Sequence, residues 1–197
     1  MIKLTVASAK ELLHSHMQNT NLRRHCYAVG LTLRAFYEVY VREGRDVGSL
    51  SADEWEIIGI LHDSDWEITT PTPEQHTIVL LNWLKDYEVP EELLNVFRSH
   101  NTGFTHLRDP ETLLEWTLEC CDELTGFIVA TALVRPDKKL TEVEVASVVK
   151  KFKQKEFARA VNREQITQCV EKLNVPLERF VEVTLTAMKN SAAELGL

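Results

Sequence analysis

Apolar positions recur at three- and four-residue spacings along most of the chain, the pattern of amphipathic helices, and no alternating run bounded by turn residues marks a strand. Over residues 21–43, Leu22, Ala28, Val29, Leu33, Phe36, Val39 and Tyr40 keep helical spacing, and Gly44 ends the pattern. Ser51-Ala-Asp-Glu54 is a capping box, which predicts a helix running through Trp55, Ile58 and Leu61. Pro71 and Pro73 punctuate the next loop, and a helix is predicted over about residues 74–86 on Val79, Leu80, Trp83 and Leu84. Pro90 opens another that reaches His100. The longest apolar segment, residues 111–134, stops at Arg135-Pro136 and reads as the central buried helix of a bundle. Three shorter helices are predicted over about residues 142–153, 163–173 and 176–193. The expectation is an all-α bundle in a single domain, residues 1–197.

The stretch Gly-Ile-Leu-His-Asp-Ser-Asp-Trp-Glu-Ile, residues 59–68, interrupts this pattern. A buried helix ends in two polar side chains, His62 and Asp63, where apolar ones should continue. Neighbouring residues on a regular helix point about 100° apart, so the two can face one ion only if the helix ends there. Ser64 to Pro73 supply that ending.

The predicted helices around the pair each carry one more metal-capable residue in or beside their apolar positions: His25, His76, His100 and Asp122. Imidazoles and carboxylates suit borderline and hard divalent ions, among them Zn, Mn, Fe, Mg, Co and Ni, and a bundle can project them inward. Asp122 lies in Cys-Cys-Asp-Glu-Leu-Thr-Gly-Phe-Ile-Val, where an unpaired buried carboxylate costs several kcal/mol unless its pKa shifts or it meets a cation. The expected cofactor is one divalent ion on His25, His62, Asp63 and Asp122, or two, the second held by His76 and His100. In that arrangement Asp63 bridges or ligates, and Asp65 either hydrogen-bonds a ligand or takes a proton from water at the metal.

Charge narrows the function classes. A net charge of -8 disfavours general nucleic-acid binding, which depends on neutralising phosphates. Between Arg135 and Arg163, however, nine basic residues stand against four acids, and Arg135 and Lys138 follow the central helix closely enough to be candidates for binding a substrate phosphate. No run of apolar residues approaches a membrane span and the N-terminus lacks the apolar stretch of a signal peptide, so a cytoplasmic location is expected. Four cysteines without a CxxC spacing read as reduced core residues.

In order and helical context, His25, His62-Asp63 and Asp122, with His76 and His100 between, resemble the HD-domain superfamily of metal-dependent phosphohydrolases. The run from Asp-Glu-Leu-Thr-Gly to Arg-Pro-Asp-Lys-Lys is similar to a small bacterial subgroup of HD- or HDIG-type proteins. The resemblance covers about residues 20–135, leaves about 136–197 as a C-terminal helical extension, and implies a helical bundle of the HD type. Ser64-Asp65-Trp66 stands where many second-messenger phosphodiesterases have Ile-Gly-Lys, and no Gly-Tyr-Pro signature occurs, which disfavours a cyclic-dinucleotide phosphodiesterase. The implied activity is hydrolysis of a phosphoester of a small metabolite or nucleotide. Two other functions fit the same frame: a phospholigand-binding or regulatory protein without turnover, and an oxygenase built on a redox iron pair.

Overall fold

A computed structural model describes residues 2–197. The chain is all-α. Its helices are α1 Val6–His16, α2 Thr20–Arg42, α3 Ala52–Leu61, α4 Trp66–Thr69, α5 Ile78–Trp83, α6 Glu91–His100, α7 Thr102–Thr105, α8 Leu113–Leu133, α9 Val145–Phe152, α10 Arg163–Glu171, α11 Leu177–Asn190 and α12 Ala192–Leu195. Two strands of two residues each, β1 Ile2–Lys3 and β2 Tyr87–Glu88, pair in parallel, a ladder too short to leave an alternating signature in the sequence. Among the described residues no helix is long and apolar enough to cross a membrane.

Local chemistry sets the helix starts. Asn19 caps α2 by accepting from the N–H groups of Asn21 and Leu22, while Ser51 with Glu54, and Thr112 with Glu115, form reciprocal capping boxes on α3 and α8. Helix α2 is the hub and packs on α3, α8, α11 and α12. It crosses α3 closely at Gly30 and Gly59. A methyl group on Gly59 would lie 2.4 Å from the Gly30 nitrogen, so only a residue without a side chain lets α3 approach α2 this closely.

Phe36 of α2 stacks on Phe180 of α11 with ring centres 4.4 Å apart, and Arg45 donates to the carbonyl of Leu173. The C-terminal helices therefore share one core with the helices that precede them. All four cysteines are free and buried.

The predicted helix over residues 74–86 is broken. A 3-10 turn, Pro73–Gln75, is followed by extended backbone at His76 and a left-handed Thr77 (φ 68°), and α5 begins only at Ile78. A β-branched residue at positive φ is held at a cost of roughly 1–3 kcal/mol, so other contacts must fix this bend. Asp65 supplies them, accepting from His76 Nδ1 (2.7 Å) and from the Leu80 N–H (2.9 Å), and Asn101 donates to the carbonyls of Pro73 and His76.

Candidate metal centre

Helix α3 ends at Leu61, and His62, Asp63, Ser64 and Asp65 form a turn before α4. Ending the helix there lets consecutive side chains face the same space: His62 Nε2 lies 3.5 Å from Asp63 Oδ2. Residue 25 in α2, residue 76 at the strained bend, residue 100 at the last turn of α6 and residue 122 in the middle of α8 converge on this turn.

The donors form two groups that share Asp63. His25, His62, Asp63 and Asp122 make one, and Asp63, His76 and His100 the other; each could hold a metal ion. Asp63 divides its carboxylate between them. Its Oδ2 faces His25 Nε2 (3.6 Å) and His62 Nε2 (3.5 Å), while its Oδ1 faces His76 Nε2 (3.3 Å) and His100 Nε2 (3.6 Å). Asp122 Oδ1 completes the first group, 2.9 Å from His25 Nε2 and 3.5 Å from His62 Nε2.

All four imidazoles point Nε2 inward because Nδ1 is engaged elsewhere. His62 donates from Nδ1 to the Gly59 carbonyl (2.7 Å), His76 to Asp65 (2.7 Å) and His100 to Glu119 (3.1 Å). His25 Nδ1 faces Thr125 Oγ1 (3.3 Å), a hydroxyl whose own proton goes to the Asp122 carbonyl. This second layer orients each ring so that Nε2, once it has lost its proton, would present its lone pair to a metal. Among the described residues the Nε2 of fully buried His62 makes no hydrogen bond, and the carboxylate oxygens Asp63 Oδ2 and Asp122 Oδ1 each stand 3.5 Å away. A buried nitrogen left so is unfavourable unless something else fills its lone pair, and a divalent cation does. The donor set is nitrogen and oxygen without thiolate, which fits borderline and hard divalent ions.

Asp65 stands behind the His76 ring. It is fully buried, and its two oxygens accept from His76 and Leu80, so it orients a ligand and does not face the cleft. Glu119 plays the matching part for His100 and is itself held by Gln165 Nε2 (3.0 Å). Glu119 was absent from the candidates read from sequence, although it precedes Asp122 by three residues, which places both on one helix face.

Arg135 and Lys138 are not brought to the centre. Helix α8 runs unbroken to Leu133, so Arg135 lies thirteen residues, about 20 Å, beyond Asp122. Its guanidinium is engaged by Asp137 through two 3.1 Å hydrogen bonds, and Lys138 is exposed. Arg163 is structural, donating to the carbonyls of Phe152, Gln154, Phe157 and Ala158.

An open cleft of about 610 Å³ gives access to the donors. Asp63, Glu119, Asp122 and Glu123 line it together with Trp66, Asn101 and Phe104, but among the described residues no lysine or arginine does. Trp66 packs its edge on His76, ring centres 5.1 Å apart.

Protonation of the centre is strongly coupled to its geometry. Burial opposes charge on His25, His76 and His100, yet the carboxylates win: Asp122 raises His25, Asp63 and Asp65 raise His76, and Asp63 with Glu119 holds His100 well above the usual imidazole range. Burial likewise opposes ionisation of Asp63 and Asp122, but the surrounding imidazoles hold both below the usual carboxylate range.

In the metal-free protein the raised imidazoles stabilise the fold fully below their unfolded pKa of about 6.5, and that contribution is lost as pH rises through their folded values. The depressed carboxylates contribute above about pH 4 and lose that contribution as pH falls toward their folded values. Metal binding must displace the imidazole protons, so its dependence is opposite. Thermal melts should therefore show a Tm that falls with rising pH above about 6.5 without metal and rises over the same range with saturating metal. Parallel pH dependence in the two states would contradict this assignment.

Comparison of the chain with protein-family models, with curated proteins and with solved structures returned no match in any of the three.

Proposed function

We propose that the protein is a metal-dependent phosphohydrolase on an HD-type helical bundle, with two divalent ions bridged by Asp63. The reading is carried by one observation: four imidazoles, each tied at Nδ1, converge through Nε2 on a shared carboxylate, and one of those nitrogens is buried with no other partner.

Bound divalent ions supply Lewis acidity at phosphoryl oxygens and lower the pKa of water. The chain's own part is to hold the ligands rigidly and leave the phosphoester room to approach. His62 and His76 sit deep in the fold, Asp65 and Glu119 lock the rings that face Asp63 Oδ1, and the cleft opens above them. With no lysine or arginine lining that cleft among the described residues, a phosphate held there would be neutralised chiefly by the metals, which favours turnover at a metal pair over a non-catalytic phospholigand sensor.

Purified protein loaded in turn with Mn, Zn, Co and Fe, and assayed against a panel of phosphomonoesters and phosphodiesters, should hydrolyse part of the panel. Elemental analysis should give two ions per chain, falling to one in His76→Ala and in His100→Ala. The reading fails if the loaded protein hydrolyses nothing, or if the double variant His62→Ala, Asp63→Ala retains full activity. Consumption of O₂ by the iron-loaded form would move the assignment to an oxygenase.

A further inference from the structure

Beside His25 a second cavity of about 350 Å³ opens between α2, α8 and the end of α12. It adjoins the metal cleft, because His25 and Gly126 line both spaces. Gly126 leaves the ridge between them bare, and a methyl group at this position would meet nothing within 4 Å. The walls of the second cavity are largely apolar, with Ala28 from α2, Val129 and Leu133 from α8, and Leu195 from α12.

Helices α2 and α8 run in opposite senses, since Tyr40 meets Thr117 while His25 meets Asp122 and Thr125. The apolar wall therefore leads away from the metal donors along α8 from Gly126 to Leu133, about 10 Å. That is room for an apolar chain of several carbons.

Arg24 is the only lysine or arginine lining either space among the described residues. It precedes His25 on α2, so one turn of helix presents a metal ligand to the cleft and a guanidinium to the adjoining cavity. The Arg24 guanidinium packs against Gly196, where a methyl group would come within 2.4 Å of it, and it forms no ion pair or hydrogen bond among the described residues. A half-buried guanidinium that makes no ion pair among the described residues, one residue before a donor of the centre, is available to phosphate oxygens.

We propose that the preferred substrates are phosphoesters of apolar alcohols, the alcohol portion lying along α8 in this second cavity and Arg24 pairing with the phosphate. The location of the scissile phosphoryl rests on the phosphohydrolase reading above; the affinity of the cavity for an apolar chain does not. In the reaction water adds to phosphorus, the bond from phosphorus to the alcohol oxygen breaks, and that oxygen leaves as the alcohol with a proton from the water.

Alkylphosphonates test the cavity without turnover, because their carbon–phosphorus bond is not hydrolysed. Ethyl-, butyl- and hexylphosphonate titrated calorimetrically into the full chain with Mn present should bind more tightly by up to about fourfold per added methylene. Gly126→Leu, which fills the mouth of the cavity, should flatten the series while the metal stoichiometry stays unchanged. Arg24→Gln should weaken every member by about tenfold or more without changing the slope. A flat series in the wild-type protein, or an unchanged slope in Gly126→Leu, overturns the proposal. If the slope is present but no alkyl phosphate is hydrolysed, the cavity stands and the phosphohydrolase reading falls. If ethyl phosphate is hydrolysed as well as hexyl phosphate, the reading stands and the cavity assignment falls.

Discussion

Replacement of Asp63 by Ala is expected to weaken both metal-binding groups in one step, whereas loss of a single imidazole affects only one of them. The reason is the division of the carboxylate: Oδ2 faces His25 and His62, and Oδ1 faces His76 and His100, all within 3.6 Å. Removing it leaves two pairs of neutral nitrogens, with Asp122 as the only remaining anionic donor and only on the first side. Asp65→Ala is the informative contrast. It deletes a carboxylate that touches no metal position and releases only His76 Nδ1 and the Leu80 N–H. Loss of such a supporting partner typically costs about 10–100-fold in metal affinity, and here on the second side alone. Elemental analysis and metal titration of the two variants separate these outcomes. Asp63→Ala protein that still carries two full equivalents of metal would show that the two groups do not share their bridge.

Much of the centre can be read in the sequence because its ligands disturb helical periodicity or sit at helix ends. His62 and Asp63 interrupt an apolar run, His100 closes a helix opened by Pro90, and Asp122 is acidic within the most apolar segment of the chain. The supporting layer has no such signature. Glu119 looks like any solvent-facing acid until α6 delivers His100 to it, and Asp65 looks like a cap until the chain bends at Thr77. That bend also explains the error over residues 74–86. The apolar spacing there is helical, but the Asp65 carboxylate claims His76 and the Leu80 N–H and overrides local propensity.

The basic segment misleads for a different reason. Closeness in sequence to Asp122 suggested closeness in space, and an unbroken helix converts thirteen residues into distance instead. Arg24, next to a ligand but engaged by no motif, carried no signal in the sequence and emerges only once α8 and α12 close a cavity around it.

The crossing of α2 and α3 is equally invisible in sequence, and it gives the largest expected loss of stability. A Cβ on residue 59 would sit 2.4 Å from the Gly30 nitrogen, 2.5 Å from its Cα and 2.7 Å from the Val29 carbonyl carbon. Every one of these atoms is backbone, so no side-chain rotation relieves the clash and the helices must separate. Overpacking of this kind costs about 1–3 kcal/mol or more, only partly offset by the roughly 0.5–1 kcal/mol that Ala gains over Gly within a helix. For a chain of this length, a net loss of about 2 kcal/mol lowers Tm by about 4–8 °C.

Separation also reaches the metal centre, because α2 carries His25, α3 leads into His62, and Gly59 itself supplies the carbonyl that orients the His62 ring. Gly59→Ala should therefore weaken metal binding at the His25 and His62 group while His76 and His100 keep theirs. Gly126→Ala is the matching control: its methyl group meets nothing within 4 Å, so the helical gain stands alone and Tm should rise slightly. Thermal melts of the two metal-free variants decide the matter. A Gly59→Ala protein as stable as the wild type would mean that α2 and α3 do not cross at this distance, and would remove the physical basis for placing His25 beside His62.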